Sequence, residues 1–172
     1  MSIMSKTTAA YLAGFLDGEG SFGIRKSQDK YYVSRVRATN TNKEIIEWMH
    51  KSFGGSLYFR DFKSETLRNA WTWTLEGKSI VLFLKKVIPY LKIKKAQAQL
   101  LLKREELKLE LENKGHRWGM VYPEEVLNDL EKLFQELKRL NKRGKSLHAE
   151  RLIEETGNRC DSPIFTGIET VS

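Results

Sequence analysis

The sequence predicts an α+β domain, with helices packed on one face of a basic antiparallel sheet. Three observations carry that prediction. Helical and strand-like hydrophobic periods alternate in the order helix, two strands, helix, two strands. Each strand pair is joined by a polar or charged connection, which favours hairpins over crossovers. Arginines occupy the strand positions that alternate with apolar ones, so one sheet face is apolar and the other cationic.

The first helix is expected over Thr7–Asp17. Ala9, Ala10, Leu12, Ala13, Phe15 and Leu16 lie within it, Thr7 or Thr8 is placed as its cap, and Gly18-Glu19-Gly20 ends it. Ser21–Lys26 and Tyr31–Thr39 then alternate as strands around a turn at Gln28-Asp29-Lys30. Phe22 and Ile24 share one face, and Gly23 and Arg25 the other; Val36 and Ala38 likewise oppose Arg35 and Arg37. Thr41 followed by Glu44 reads as a capping box opening a helix with Ile45, Ile46, Trp48, Met49 and Phe53, stopped by Gly54-Gly55.

The second hairpin pairs Leu57–Arg60 with Ala70–Leu75 across the charged segment Asp61–Asn69. Ser79–Val87 is an apolar helix closed near Pro89. Lys94–Glu112 is a longer one with Ala98, Leu101, Leu102 and Leu109 among its apolar positions. Pro123 suits the first turn of a last helix that runs to about Asn141 through Val126, Leu130, Leu133, Phe134 and Leu137. Trp48, Trp71 and Trp73 sit among apolar neighbours and are expected in the core.

A chain of 172 residues with 40% hydrophobic content supports one domain, expected over residues 1–149, followed by a tail at 150–172. After Leu147 two arginines face five acidic residues, so the tail is acidic and the body more basic than the mean. The net charge of +8 and isoelectric point near 9.5 point to a polyanionic partner, nucleic acid ahead of a membrane surface. The single cysteine, Cys160, excludes an intrachain disulfide and fits a reducing compartment. No apolar run reaches the roughly 20 residues of a membrane span, and no secretory signal is visible. The expectation is a soluble intracellular protein, of a bacterial cytoplasm or an organelle alike. His50, His116 and His148 have no ligand spacing with one another or with Cys160, so no zinc site is expected.

The most informative segment is Tyr11-Leu12-Ala13-Gly14-Phe15-Leu16-Asp17-Gly18-Glu19-Gly20, which resembles the signature of the LAGLIDADG homing endonucleases. Leu12, Ala13, Gly14, Asp17, Gly18, Glu19 and Gly20 fit that pattern. A second match, Pro89–Ala98, is similar to the family segment that precedes its second long helix. The resemblance covers about residues 8–141. It implies the αββαββα family fold, with the sheet as a DNA-binding saddle and further helices at the C-terminus. It also implies a metal-dependent hydrolase that cuts both strands of a long, partly palindromic DNA target.

The resemblance places the metal-binding acid at Glu19, a further ligand at the Gly18 carbonyl, and the basic active-site residue at Lys94. Asp17 occupies the earlier acid position, where a structural role at the helix end is favoured. A polar residue near the end of the second strand often orders water in this family. Asn40 is the choice here, with Ala38 and Thr39 the alternatives; an alanine at that position would be a departure from the family pattern. Two carboxylates held close repel, and a hard cation between them relieves the repulsion, so Mg²⁺ is the expected cofactor with Mn²⁺ as substitute.

One motif per chain implies a homodimer. Ala10, Gly14 and Gly18 recur every four residues and leave a stripe free of bulk along which two helices approach closely. Ala10, Ala13, Gly14, Asp17 and Gly18 are the expected interface. The candidates for DNA contact are Arg25, Arg35, Arg37, Tyr58, Arg60, Arg68 and Thr72, with Lys26, Lys30 and Lys63 on phosphate. Two other classes share this scaffold: an intron RNA maturase, and a DNA-binding regulator that does not cut. An acid at Glu19 favours the nuclease over both.

Overall fold

The computed structural model describes residues 4–27, 31–63, 68–116 and 122–142. The expected turn at Gln28-Asp29-Lys30, the stretch 64–67, and the tail from 150 with Cys160 lie outside the described residues. By contacts the chain divides into residues 1–141 and 142–172, and every element below belongs to the first unit.

Helix α1 spans Lys6–Glu19, two residues beyond its expected end, because Gly18 and Glu19 continue the helical turn. Its cap is Ser5 in place of Thr7 or Thr8: the Ser5 side chain accepts the Thr8 N–H at 3.0 Å. Gly20 converts helix to strand, and a Cβ there would meet the Leu16 carbonyl oxygen at 2.6 Å. Strands β1 (Gly20–Ser27) and β2 (Tyr31–Asn40) follow, then α2 (Lys43–Phe53), β3 (Ser56–Arg60) and β4 (Ala70–Glu76). The cap of α2 is Asn42, whose side chain accepts the Ile45 N–H, so the expected Thr41 capping box does not form. Gly54 and Gly55 end α2 at φ +74° and +87°. At Gly55 an added Cβ would lie 2.4 Å from the Thr74 carbonyl oxygen, so only glycine fits.

Helix α3 (Ser79–Val87), a short 3₁₀ turn (Ile88–Tyr90), α4 (Lys95–Asn113) and α5 (Glu124–Leu140) complete the described elements. The strands form one antiparallel sheet in the order β1-β2-β4-β3. Even-numbered residues of β1 and β2 face the helices: Phe22, Ile24, Tyr32, Ser34, Val36 and Ala38 are all buried. With Trp73 and Leu75 of β4 they pack against Leu12, Ala13 and Leu16 of α1 and Ile46 and Met49 of α2. Trp73 is fully buried, and its indole N–H donates to the Gly54 carbonyl at 2.7 Å. Truncating such a residue costs about 3–5 kcal/mol. Trp48 and Trp71 are partly buried against the same core.

Along α4 the buried face runs through Ala98, Leu101, Arg104, Glu105 and Leu111. That phase leaves Leu109 outside, 57% exposed, contrary to expectation. Arg104 donates to the Tyr32 carbonyl and to Glu105, a buried ion pair that hydrophobic spacing gives no sign of. Helix α5 docks through Glu131, which accepts from Tyr32 Oη at 2.5 Å and Lys26 Nζ at 2.9 Å. Asn141 donates to the Phe22 carbonyl of β1, an end strand of the sheet.

Candidate functional site

The carbonyl oxygens of the last turn of α1 and of Gly20 just beyond it lie at the negative end of the helix dipole, that of Leu16 also accepting the Gly20 N–H. The Lys94 ammonium sits among them. Its Nζ donates to the carbonyls of Gly20 at 2.7 Å, Leu16 at 3.1 Å and Gly18 at 3.3 Å. Burial lowers the Lys94 pKa, and the opposing fields of Asp17 and Glu19 only partly restore it.

Asp17 holds the other end of this arrangement. Its carboxylate accepts the backbone N–H groups of Lys92 at 2.8 Å and Lys94 at 2.9 Å, pinning the start of α4 to the end of α1. Burial raises its pKa, but these backbone donors, that of Ile93 and the Lys94 charge outweigh it, and the net shift is downward. Gly18 and Glu19 are exposed on the same terminus. The structure thus brings Asp17, Gly18, Glu19 and Lys94 together. The carbonyls of Leu16 and Gly20 belong to the group as well; side-chain identity does not reveal backbone acceptors.

Asn40 stands at the end of β2, the strand paired with β1. In the β1–β2 register Gly20 pairs with Ala38. Asn40 lies two residues further along, roughly 7 Å at strand rise. Its side chain accepts the Asn42 N–H at 2.8 Å, just before α2. Thr39 points to the opposite face and shares a 2.9 Å hydroxyl hydrogen bond with Thr72.

On α1, Ala10, Gly14 and Gly18 are exposed, and a Cβ added at Gly14 or Gly18 meets nothing within 4 Å. Ala13 does not belong with them. It shares the inward phase of Ala9, Leu12 and Leu16 and is fully buried in the chain's own core. Asp17, also expected at the interface, is engaged with the α4 backbone within its own chain.

The open face of the sheet carries Arg25, Arg35, Arg37, Thr39, Tyr58, Arg60 and Thr72, placed there by strand parity. Arg35 pairs with Glu76 at 2.9 Å. Arg37 is half-buried between charges of its own sign: burial, then Arg35 and Arg60, lower its pKa against the pull of Glu76. Its Nε and the Thr74 hydroxyl are buried atoms without a hydrogen-bond partner among the described residues. Lys63 and Arg68 are exposed next to β3 and β4; Lys63 adopts φ +46° and its N–H donates to Asp61 at 2.9 Å.

Lys26 was expected on phosphate, but it has the parity of Phe22 and Ile24, faces away from this surface and bonds Glu131 on α5. Lys30 lies outside the described residues. Among those residues no group of three or more His, Cys, Asp or Glu assembles into a metal site. None of their helices is long and apolar enough to cross a membrane.

The sequence matches the family model for LAGLIDADG endonucleases over residues 12–103. No curated protein matches the chain. Among solved structures it is similar to the homing endonuclease I-CvuI in complex with its target, with TM-score 0.62 and 21% identity over 90% of this chain and 97% of that one. It is similar also to the archaeal intron-encoded homing endonuclease I-Vdi141I complexed with DNA, with TM-score 0.62 and 20% identity over 87% and 96%. A third, the LAGLIDADG homing endonuclease I-GzeII in complex with its DNA target, gives TM-score 0.56 and 19% identity over 94% of this chain and 54% of that one. With the family model spanning more than half of the sequence, and the helix–hairpin order and Asp17-Gly18-Glu19-Gly20 terminus in place, the chain belongs to the LAGLIDADG endonuclease family.

Proposed function

We propose that this endonuclease works as a homodimer that hydrolyses both strands of a long, partly palindromic double-stranded DNA target with Mg²⁺ as cofactor and Mn²⁺ able to replace it. The observation that carries the reading is the end of α1. A cluster of carbonyl oxygens already hosts a cationic group there, beside an exposed carboxylate and at the foot of an open, small-residue helix face. Carbonyl and carboxylate oxygens are the donors a hard divalent ion takes, so the residues present fit the ion.

One chain offers too few carboxylates. A second copy packed along Ala10, Gly14 and Gly18 would bring a second Glu19 to the first. The coverage supports this: the chain spans nearly all of I-CvuI but about half of I-GzeII, the ratio expected if the larger protein carries two such units.

Glu19 and the Gly18 carbonyl would hold the metal, which when bound supplies Lewis-acid stabilisation of phosphate and an activated water. Asp17 fixes the main chain at Lys94. The Lys94 ammonium then stabilises charge on the pentavalent phosphate. Ala38 supplies no polar group beside Gly20, so Asn40, two residues further on the same face of β2, is the side chain to order water there. Arg25, Arg35, Arg37, Tyr58, Arg60 and Thr72 meet the DNA from the open sheet face, with Lys63 and Arg68 at its margin.

Incubating the purified protein with a randomised duplex library and Mg²⁺ tests the reading. The expected result is recovery of cleaved sites with two-fold related halves, and a Glu19→Gln protein that binds those sites without cutting them. Cleavage undiminished in the Glu19→Gln protein would remove Glu19 from its role, and stimulated RNA splicing without DNA cleavage would favour the maturase.

A further inference from the structure

The Gly18 carbonyl assigned above to the metal is also an acceptor of the Lys94 ammonium. Two positive centres do not share one oxygen at ligand distance without strong repulsion. We infer that Lys94 holds the cation position of the DNA-free protein and yields it when a divalent ion enters, so that metal loading and release of the lysine are one event. The inference rests on the metal reading just given and adds a regulation to it.

The local geometry supports an exchange rather than a fixed contact. Of the three carbonyl contacts, the one to Gly18 is the longest, at 3.3 Å against 2.7 Å to Gly20 and 3.1 Å to Leu16. The main chain of Lys94 is anchored by Asp17 at 2.9 Å, while the four-carbon stem beyond it has the rotatable bonds to carry the ammonium elsewhere once its carbonyl contacts are given up. Glu19 acts on Lys94 through its field. A displaced ammonium keeps its anchor but needs a new anion, and in the catalytic reading that anion is a phosphate of bound DNA.

Divalent ions should therefore bind the DNA-free protein weakly, and DNA should strengthen their binding by offering the lysine another partner. Linkage requires the ion to strengthen DNA binding equally. This reciprocity would limit metal loading to protein already seated on a duplex.

Mn²⁺ titration of the full-length protein followed by electron paramagnetic resonance, without DNA, tests the exchange on wild type, Lys94→Met and the double variant Lys94→Met/Glu19→Gln. The expected result is Mn²⁺ binding at least about tenfold tighter in Lys94→Met than in wild type, lost again in the double variant. Equal or weaker binding in Lys94→Met overturns the exchange and leaves the metal reading standing. Absence of Mn²⁺ binding in Lys94→Met, and in wild type on an uncleavable duplex, overturns the metal reading itself.

Should Lys94→Met fail to fold, the wild type decides. Reductive dimethylation of Lys94, followed by mass spectrometry, is expected to accelerate over the Mn²⁺ range in which binding is seen. An unchanged rate across that range overturns the exchange.

Discussion

The carboxylate of Asp17, at the end of α1, accepts the backbone N–H of Lys94 at the start of α4 from 77 residues away in sequence. Replacing Asp17 with Asn leaves one acceptor oxygen for donors that now occupy two, and turns an amide N–H toward a backbone N–H. The expected loss of stability is about 1–3 kcal/mol in urea unfolding. Because the folded-state pKa of Asp17 is lowered, its contribution is complete above the ordinary value of 3.8 and is lost as pH falls through the lower folded value. The gap between wild type and Asp17→Asn should therefore close in acid, and a gap that widens there would contradict the assignment.

Gly14 offers a separate test of pairing. An added Cβ there meets nothing in its own chain within 4 Å, and the residue is exposed, so Gly14→Leu should fold with equal or raised thermal stability, helped by better helix propensity. On the proposed interface the same side chain blocks close approach of two helices. Sedimentation should show monomer where wild type shows dimer, and cleavage should be lost; a Gly14→Leu protein that remains dimeric would place the interface elsewhere.

Arg37 is held among like charges with its Nε unpartnered, a strain that an anion would relieve. Arg37→Met should leave folding stability unchanged or raised by up to about 1 kcal/mol. Its DNA affinity should fall, with the salt dependence of log K shallower by about one. A lowered affinity with an unaltered salt slope would leave base reading as the contribution of Arg37, and an unaltered affinity would remove it from the DNA surface.

Glu131 ties α5 to β1 and β2. Hydrogen bonds from Tyr32, Gln135 and Lys26 lower its pKa from 4.5 to about 2. The stabilisation is therefore present above pH 4.5 and is lost as the pH falls toward 2. The side chain is 36% exposed, so solvent screening limits the contribution to about 1 kcal/mol. Glu131→Gln should lower the melting temperature at pH 7 and remove that part of the acid dependence, measured by thermal melts between pH 2 and 7.

Periodicity made the element order and the two sheet faces legible, since Phe22, Ile24, Val36 and Ala38 sit where their alternation with arginines requires. Caps were less so: Ser5 and Asn42 each lie near a Thr that can also cap, and the caps formed are the residues of higher capping propensity. Lys26 was misread by charge although its strand parity pointed inward. Ala13 was misread by its small size although it shares the helical phase of Leu12 and Leu16. The motif located Glu19 and Lys94, but the acceptors around the ammonium are backbone atoms of Leu16, Gly18 and Gly20, and Ala38 opposite Gly20 follows from strand register. Register depends on the pairing of two segments, and a residue pattern read along one segment fixes it only within a position or two.

The bond from Asn141 to Phe22 bears on solubility as much as on shape. An end strand exposes unpaired main-chain groups with which a strand of another copy can pair. By taking the Phe22 carbonyl, the Asn141 amide denies part of that border to a neighbouring strand and discourages sheet-to-sheet fibre growth. A residue at the far end of the last described helix thus guards the element that follows the signature motif.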